Sequence, residues 1–148
     1  DHRDLHLSIR RQRQMCIRDR CGLGPMAGQA HHFRQYAPIK IKYAIKRYTD
    51  EVNRLYGVMN KQLKKNEFLA GRYSIADMAC WGWIIPWKNQ GQKISDFPHL
   101  KRWFEQVGQR PAVIKGFAAG KEMRKQLLSE NTKEAKKAKS ILFNQRSR

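Results

Sequence analysis

The chain has 148 residues, enough for one compact domain and too few for two. Hydrophobic residues make up 41% of the sequence, which is enough for a core and excludes disorder along the whole chain. The formal net charge is +19, with six basic and three acidic residues in 1–20, sixteen and six in 21–120, and nine and three in 121–148. Because a nucleic-acid-binding arm concentrates its positive charge, this even spread argues against nucleic acid as a partner.

The sequence has no apolar run long enough for a transmembrane helix, and its first twenty residues lack the apolar stretch of a signal peptide. We therefore expect a cytoplasmic protein with no membrane partner. The three cysteines, Cys16, Cys21 and Cys80, have no regular spacing, so they predict neither a disulfide framework nor a zinc site. Cys80 lies in an apolar run and is predicted to be a small buried residue.

Residues 1–20 differ from the rest of the chain. They are rich in arginine and have no helical apolar stripe, and their string RQMCIRDR resembles a translated sequencing-adapter remnant. We interpret residues 1–20 as a non-native or disordered segment that takes no part in the fold. The alternative is a natural basic arm.

The first predicted helix runs to Phe33. Pro25 suits a first helical turn, and Met26, Ala30 and Phe33 then recur at helical spacing. We interpret this segment as a helix whose beginning is absent.

The clearest helix is predicted between about Lys40 and Lys65. Its apolar positions recur with the period of an α-helix, and they are Ala44, Ile45, Tyr48, Val52, Leu55, Met59 and Leu63. The tyrosines of this region alternate with basic residues, a mixture that can stack nucleic-acid bases. We favour a solvated helix face over a core, because most lysines fall on the face opposite the apolar stripe.

An N-capping pattern follows a loop in which Gly71 is the expected turn residue. Ser74 and Asp77 have the spacing of a capping box, in which each side chain accepts from the backbone amide of the other residue. We assign both residues a structural role. The helix that they begin, from Ile75 to about Trp87, is apolar on nearly every face, which predicts a position at the centre of a bundle.

Gly82 is expected to let a neighbouring helix approach closely, and Pro86 to end or kink the helix. Two more helices are predicted, one between Pro98 and Pro111 and one after Pro111. The tail 121–148 has helical propensity but few large apolar residues, so we expect a basic helical or frayed tail. Because no segment shows strand alternation, the predicted fold class is an all-α helical bundle.

The sequence shows no pattern of metal ligands or catalytic residues. The adjacent His31 and His32 point apart on a helix, and His99 has no acidic or cysteine partner nearby, so no metal site is predicted. No nucleophile elbow is present either. Arg47 lies at the edge of the apolar stripe and has the planar guanidinium that binds carboxylates through two hydrogen bonds, with a surface arginine as the alternative.

A family resemblance is carried by four segments, GLGPMAGQAHHF, YAIKRYTDEVNRLYGVMNKQL, FLAGRYSIADMACWGWIIPW and FPHLKRWFEQVGQRPAV. Together they resemble the C-terminal helical domain of bacterial glutathione transferases. The pattern of Leu69, Gly71 and Ser74 to Asp77 is typical of the whole superfamily. The first segment resembles the nu class most closely, whose members reduce disulfides with glutathione.

The resemblance implies a protein of two domains, an N-terminal thioredoxin-like domain that binds glutathione and the helical domain, here residues 21–120. It also implies glutathione as co-substrate and a homodimer. By position, Arg47 matches an arginine that contacts a glutathione carboxylate. Met26, Gln29 and Phe33 fall on the helix that lines the second-substrate pocket.

The sequence departs from the family in ways that affect the expected activity. It shows no match to the thioredoxin-like domain, so we assign no catalytic residue and expect the chain alone to be inactive. Lys42 and Lys46 stand where the family usually has a proline and an acid, which raises the positive charge beside Arg47.

The predicted function is that of the C-terminal domain of a glutathione transferase, for glutathione conjugation or glutathione-dependent disulfide reduction. Whether the chain is itself an enzyme stays open. The alternative is a stand-alone basic helical module that binds a protein partner or nucleic acid.

Overall fold

The computed structural model describes residues 22–121 and Lys137. This part of the chain is helical, and its β-structure is limited to isolated bridges in the loop after the second helix. The helices are α1 (Leu23–His31), α2 (Lys42–Lys65), α3 (Ile75–Ile84), α4 (Pro98–Gly108) and α5 (Pro111–Ala119). A π-helical turn, His32–Tyr36, continues α1, and a 3-10 turn, Ile94–Asp96, precedes α4. The predicted all-α fold is confirmed.

The chain divides into two compact units. Helices α1 to α4 belong to the first, which ends at Gly108, and α5 belongs to the second, which begins at Gln109. Helix α5 begins with Pro111, whose missing amide hydrogen costs nothing in a first turn. The predictions for residues 1–20 and for nearly all of the tail fall outside the described residues. None of the described helices combines the length and the hydropathy that a membrane crossing requires.

Helix α2 supplies the largest buried stripe of the described bundle. Its buried side chains follow the helical period, and they are Val52, Leu55, Tyr56, Met59 and Leu63. They pack against α1 on one side and α4 on the other. Each fully buried side chain of this size contributes about 1.5–3 kcal/mol of hydrophobic free energy.

The capping box at the start of α3 forms as the local sequence dictates. Ser74 is the N-cap residue, and its hydroxyl accepts from the amide of Ala76 at 3.3 Å. The carboxylate of Asp77 accepts from the amide of Ser74 at 2.9 Å. Before this cap, the chain turns at Gly71, whose φ of 91° favours glycine.

Helix α3 differs from its prediction in length and in burial. It ends at Ile84, ahead of Pro86, and residues 85–91 form turns. The predicted position at the centre of the bundle was wrong, because Ile75 is 60% and Met78 56% exposed. Gly82 admits no close neighbour either, since a Cβ placed there meets nothing within 4 Å among the described residues.

The close approach occurs instead at glycines that face α3 from other helices. The indole of Trp83 lies against α1, 3.2 Å from the position that a Cβ of Gly24 would occupy and 3.7 Å from that of Gly28. On the other side of α3, the indole of Trp81 is 3.3 Å from the Cβ position of Gly108. The glycines thus let two indole rings of α3 lie directly on neighbouring helices.

Helix α4 completes the core with Leu100, Trp103 and Val107, all fully buried. Its first turn is capped from α2, where the side-chain oxygen of Asn60 accepts from the amides of His99 at 2.9 Å and Leu100 at 3.0 Å. This contact fixes the start of α4 on the C-terminal half of α2.

Candidate functional site

Arg47 lies on the exposed face of α2, near the N-terminal end of the helix. Within the described residues, no hydrogen bond or ion pair engages its guanidinium. Lys46 beside it forms an ion pair with Asp50, one turn further along. The charge that Lys46 adds is therefore partly neutralised, and Arg47 is the basic group of this turn that is free to bind an anion.

Glu51 lies one helical turn after Arg47 and carries a carboxylate. Both of its oxygens accept from Arg54, with Arg54 Nε to Glu51 Oε2 at 2.9 Å and Arg54 Nη2 to Glu51 Oε1 at 2.7 Å. The hydrogen bond from Arg54 is the main cause that lowers the pKa of Glu51, and the positive charges of Arg54 and Arg47 add to it. Glu51 is therefore ionised at neutral pH.

Tyr48 of α2 contacts Phe33, one of the predicted pocket residues. The two rings stack with centroids 5.4 Å apart and planes inclined by 8°. Phe33 is half-buried and lies in the π-helical turn that continues α1. The structure thus brings one predicted pocket residue next to the turn of α2 that carries Arg47.

The other predicted pocket residues lie further back on α1. Met26 is half-buried and Gln29 is exposed. With Phe33 they recur at intervals of three and four, so the three side chains follow one stripe of the helix. The adjacent stripe of α1, which contains Ala27 and Ala30, is buried.

A buried network of side-chain amides contacts α2 at Thr49 and Tyr56. The hydroxyl of Tyr56 donates to Oε1 of Gln90 at 2.8 Å, and Nε2 of Gln90 donates to the carbonyl of Trp83 at 2.7 Å. Burial raises the pKa of Tyr56, so its hydroxyl stays protonated as a donor. Nε2 of Gln92 donates to the carbonyl of Thr49 at 2.9 Å. The network ties the loop after α3 to α2.

The sequence did not predict this network. Gln90 is fully buried and Gln92 nearly so, although both lie in a segment that reads as a polar loop. The available signal was the pair of glutamines on either side of Gly91, because no acidic residue or lysine lies between them. The polarity of the segment predicts an exposed loop, but a side-chain amide can be buried where its hydrogen bonds are made.

Two further contacts join the same loop to the end of α1. The guanidinium of Arg34 lies over Gly91, whose φ is 75°, and Asn89 Nδ2 is 3.4 Å from Nε2 of His31. Burial lowers the pKa of His31, which favours the neutral imidazole. These contacts join the loop after α3 to the end of α1 and to the π-helical turn.

The described residues contain no group of His, Cys, Asp or Glu side chains that could hold a metal ion. The predicted site residues include no nucleophile and no general base. Their arrangement provides a free guanidinium, a stacked aromatic pair and a partly apolar helix stripe. A guanidinium can bind an anionic group, and aromatic or apolar side chains can contact a hydrophobic one.

A comparison with protein-family models identifies the family of this domain. The family model of the glutathione S-transferase C-terminal domain matches residues 25–111. The chain belongs to the glutathione S-transferase family. The family predicted from the four sequence segments is therefore confirmed.

Curated relatives of this glutathione S-transferase domain include two proteins of Escherichia coli. Disulfide-bond oxidoreductase YfcG is 50% identical over 93 residues, which cover 62% of this chain and 43% of that protein. Disulfide-bond oxidoreductase YghU is 42% identical over 104 residues, which cover 64% of this chain and 36% of that protein. The chain therefore spans less than half the length of these relatives.

A solved structure supports the same assignment of the fold. The glutathione transferase of Burkholderia graminis, with two glutathione molecules bound per subunit, matches the chain with a TM-score of 0.69 and 30% identity. The match covers 82% of this chain and 52% of that one.

Proposed function

We propose that this domain forms part of the glutathione site and most of the second-substrate pocket of a glutathione transferase. Arg47 binds a carboxylate of glutathione, and Met26, Gln29 and Phe33 line the pocket. Residues 21–120 form the domain in this proposal, residues 1–20 are a non-native or disordered segment, and residues 121–148 are a basic helical or frayed tail.

The observation that carries the proposal is the free guanidinium of Arg47 beside the stacked pair of Tyr48 and Phe33. Glutathione has two carboxylates, and an arginine binds a carboxylate through two parallel hydrogen bonds. The aromatic pair lies next to that position on α2 and offers an apolar surface to a second substrate. The Burkholderia graminis transferase, which has two glutathione molecules bound per subunit, supports the same ligand.

Two reactions fit this assignment. In conjugation, the thiolate sulfur of glutathione attacks an electrophilic carbon, and a C–S bond forms as the leaving group departs from that carbon with the electron pair of its bond. In disulfide reduction, the thiolate attacks one sulfur of a disulfide and releases the other as a thiolate. The names of the E. coli relatives favour the second reaction.

The remaining parts of the proposal concern the rest of the family protein. We expect a thioredoxin-like domain to activate the glutathione thiol, so these 148 residues alone turn over little or no substrate. The exposed apolar side chains of α3, Ile75, Met78 and Trp83, form a face that such a domain would cover. We further propose a cytoplasmic homodimer.

The test is a titration of the chain with glutathione, followed by NMR, which detects millimolar affinities. Arg47→Gln is expected to weaken binding about tenfold, because it removes a charge-assisted pair of hydrogen bonds. Arg72→Gln, which removes another exposed arginine from a loop, is the matched control and leaves binding unchanged. Equal affinities of Arg47→Gln and the wild type would reject the site.

A conjugation assay and a disulfide-reduction assay on the same preparation test the second part. Turnover near that of an intact glutathione transferase would contradict the expectation that this domain holds no reacting group. Tight, salt-dependent binding of duplex DNA or tRNA would instead favour a basic binding module.

A further inference from the structure

The carboxylate of Glu51 lies between two arginines on one face of α2. Arg47 precedes it by four residues and Arg54 follows it by three, so both are helical neighbours that a glutamate can pair with. Glu51 pairs with Arg54 through both of its oxygens, at 2.7 Å and 2.9 Å. No hydrogen bond or ion pair between Glu51 and Arg47 occurs in the described structure.

This choice of partner affects the proposed glutathione site. A guanidinium that already holds a protein carboxylate offers fewer free N–H donors and a partly neutralised charge to a carboxylate of a ligand. The side chain of Glu51 is only 22% exposed, so it stays close to the helix, where Arg47 is its alternative partner. Releasing Glu51 from Arg54 would therefore place a competitor beside Arg47.

We propose that Arg54 is a positioning residue for the carboxylate site. It holds both oxygens of Glu51 and so leaves the guanidinium of Arg47 free for a carboxylate of glutathione. This inference rests on the proposed function, since it concerns the same site. It adds that the affinity for glutathione depends on Arg54, which lies two helical turns from Arg47 and does not touch the ligand.

An ion pair between neighbouring turns of one helix, with Arg54 60% exposed, contributes little to stability, so unfolding experiments do not test this role. The informative measurement is glutathione affinity in a double-mutant cycle. Arg54→Gln is expected to weaken glutathione binding about two- to fivefold, because Glu51 then pairs with Arg47. Glu51→Gln alone changes affinity little, whereas Glu51→Gln in the Arg54→Gln background restores it to the wild-type level.

Loss of positive charge near an anion site also weakens binding, and one variant separates this effect. Arg54→Lys keeps the charge but cannot form the two parallel hydrogen bonds to Glu51. Our proposal expects Arg54→Lys to bind glutathione more weakly than the wild type does, whereas a pure charge effect leaves it unchanged. Lys61→Gln, which removes an exposed positive charge further along α2, shows the size of the charge effect alone.

The outcomes distinguish this inference from the proposed function. If Arg47→Gln weakens glutathione binding but Arg54→Lys and Arg54→Gln do not, the positioning role of Arg54 is wrong and the site remains. Independent effects of Glu51→Gln and Arg54→Gln, with no coupling in the cycle, overturn the role in the same way. If the wild type binds no glutathione, or Arg47→Gln binds as the wild type does, both proposals fail.

Discussion

Trp103 donates its indole N–H to Oδ1 of Asp77 at 2.7 Å, and both side chains are fully buried. The same carboxylate accepts from the amide of Leu69 at 3.0 Å and from that of Ser74 at 2.9 Å. One acidic side chain thus joins α4, the loop before α3 and the first turn of α3. Asp77 holds the bundle together across elements that are distant in sequence.

Asp77→Ala is expected to destabilise the domain by about 3 kcal/mol or more, because it leaves the two buried donors of Trp103 and Leu69 and the half-buried amide of Ser74 without an acceptor. Urea denaturation, followed by circular dichroism, measures the free energy of unfolding. Trp103→Phe keeps most of the ring volume and removes one donor, so its cost is about 1–2 kcal/mol. Ser74→Ala, which removes only the cap, costs about 1 kcal/mol. Equal losses for all three variants would contradict the central role of Asp77.

The contrast between Ser74 and Trp103 shows what the sequence could predict. The capping box spans four neighbouring residues, so its geometry follows from local spacing. The hydrogen bond from Trp103 joins residues 26 positions apart, and only the packing of α3 against α4 brings them together. The same limit applies to the candidate site. The resemblance predicts a role for Arg47, but no local pattern predicts the hydrogen bond from Tyr56 to Gln90.

Three helical glycines offer a graded test of the contact between Trp83 and α1. Gly57→Ala adds a methyl group in open space, so it is expected to stabilise the domain by about 0.5–1 kcal/mol through helix propensity. Gly28→Ala makes an ordinary contact with Trp83 at 3.7 Å and should gain a similar amount. Gly24→Ala places its Cβ 3.2 Å from the indole, so displacement of Trp83 offsets the gain.

The measurement is again the free energy of unfolding, compared among the three variants. The expected order of stability places Gly57→Ala and Gly28→Ala above the wild type and Gly24→Ala at or below it. Equal gains for Gly24→Ala and Gly28→Ala would mean that the indole does not lie on Gly24.

Gly91 and Gly71 form a second matched pair, since both have positive φ angles, 75° and 91°. Alanine at Gly71 meets nothing within 4 Å, so Gly71→Ala costs only the backbone strain of about 1–2 kcal/mol. Gly91→Ala is expected to cost more, because its Cβ would lie 2.6 Å from Cζ of Arg34. Denaturant unfolding of the two variants measures the difference.

A double variant shows whether the guanidinium causes the extra cost. In the Arg34→Ala background, Gly91→Ala should cost no more than Gly71→Ala does in the wild type. An extra cost that persists without the guanidinium would show that the backbone of the loop, and not Arg34, requires glycine at this position.

His31 makes the stability of the domain depend on pH. Burial lowers its pKa below the ordinary value of 6.5, so the folded chain binds this proton less readily than the unfolded chain does. Stability therefore falls as the pH drops below about 6.5, and the loss ends once the pH is below the folded pKa. The pKa of Glu51 is also lowered, but from 4.5, so its contribution is lost only in a more acidic range.

His31→Gln removes the titrating ring and keeps a polar side chain near Asn89. Its free energy of unfolding is expected to decline less than that of the wild type between about pH 7 and pH 5. Urea denaturation at several pH values measures the two slopes, and an NMR titration of the His31 ring gives the folded pKa directly. Parallel slopes, or a folded pKa at or above 6.5, would show that burial does not hold this imidazole neutral.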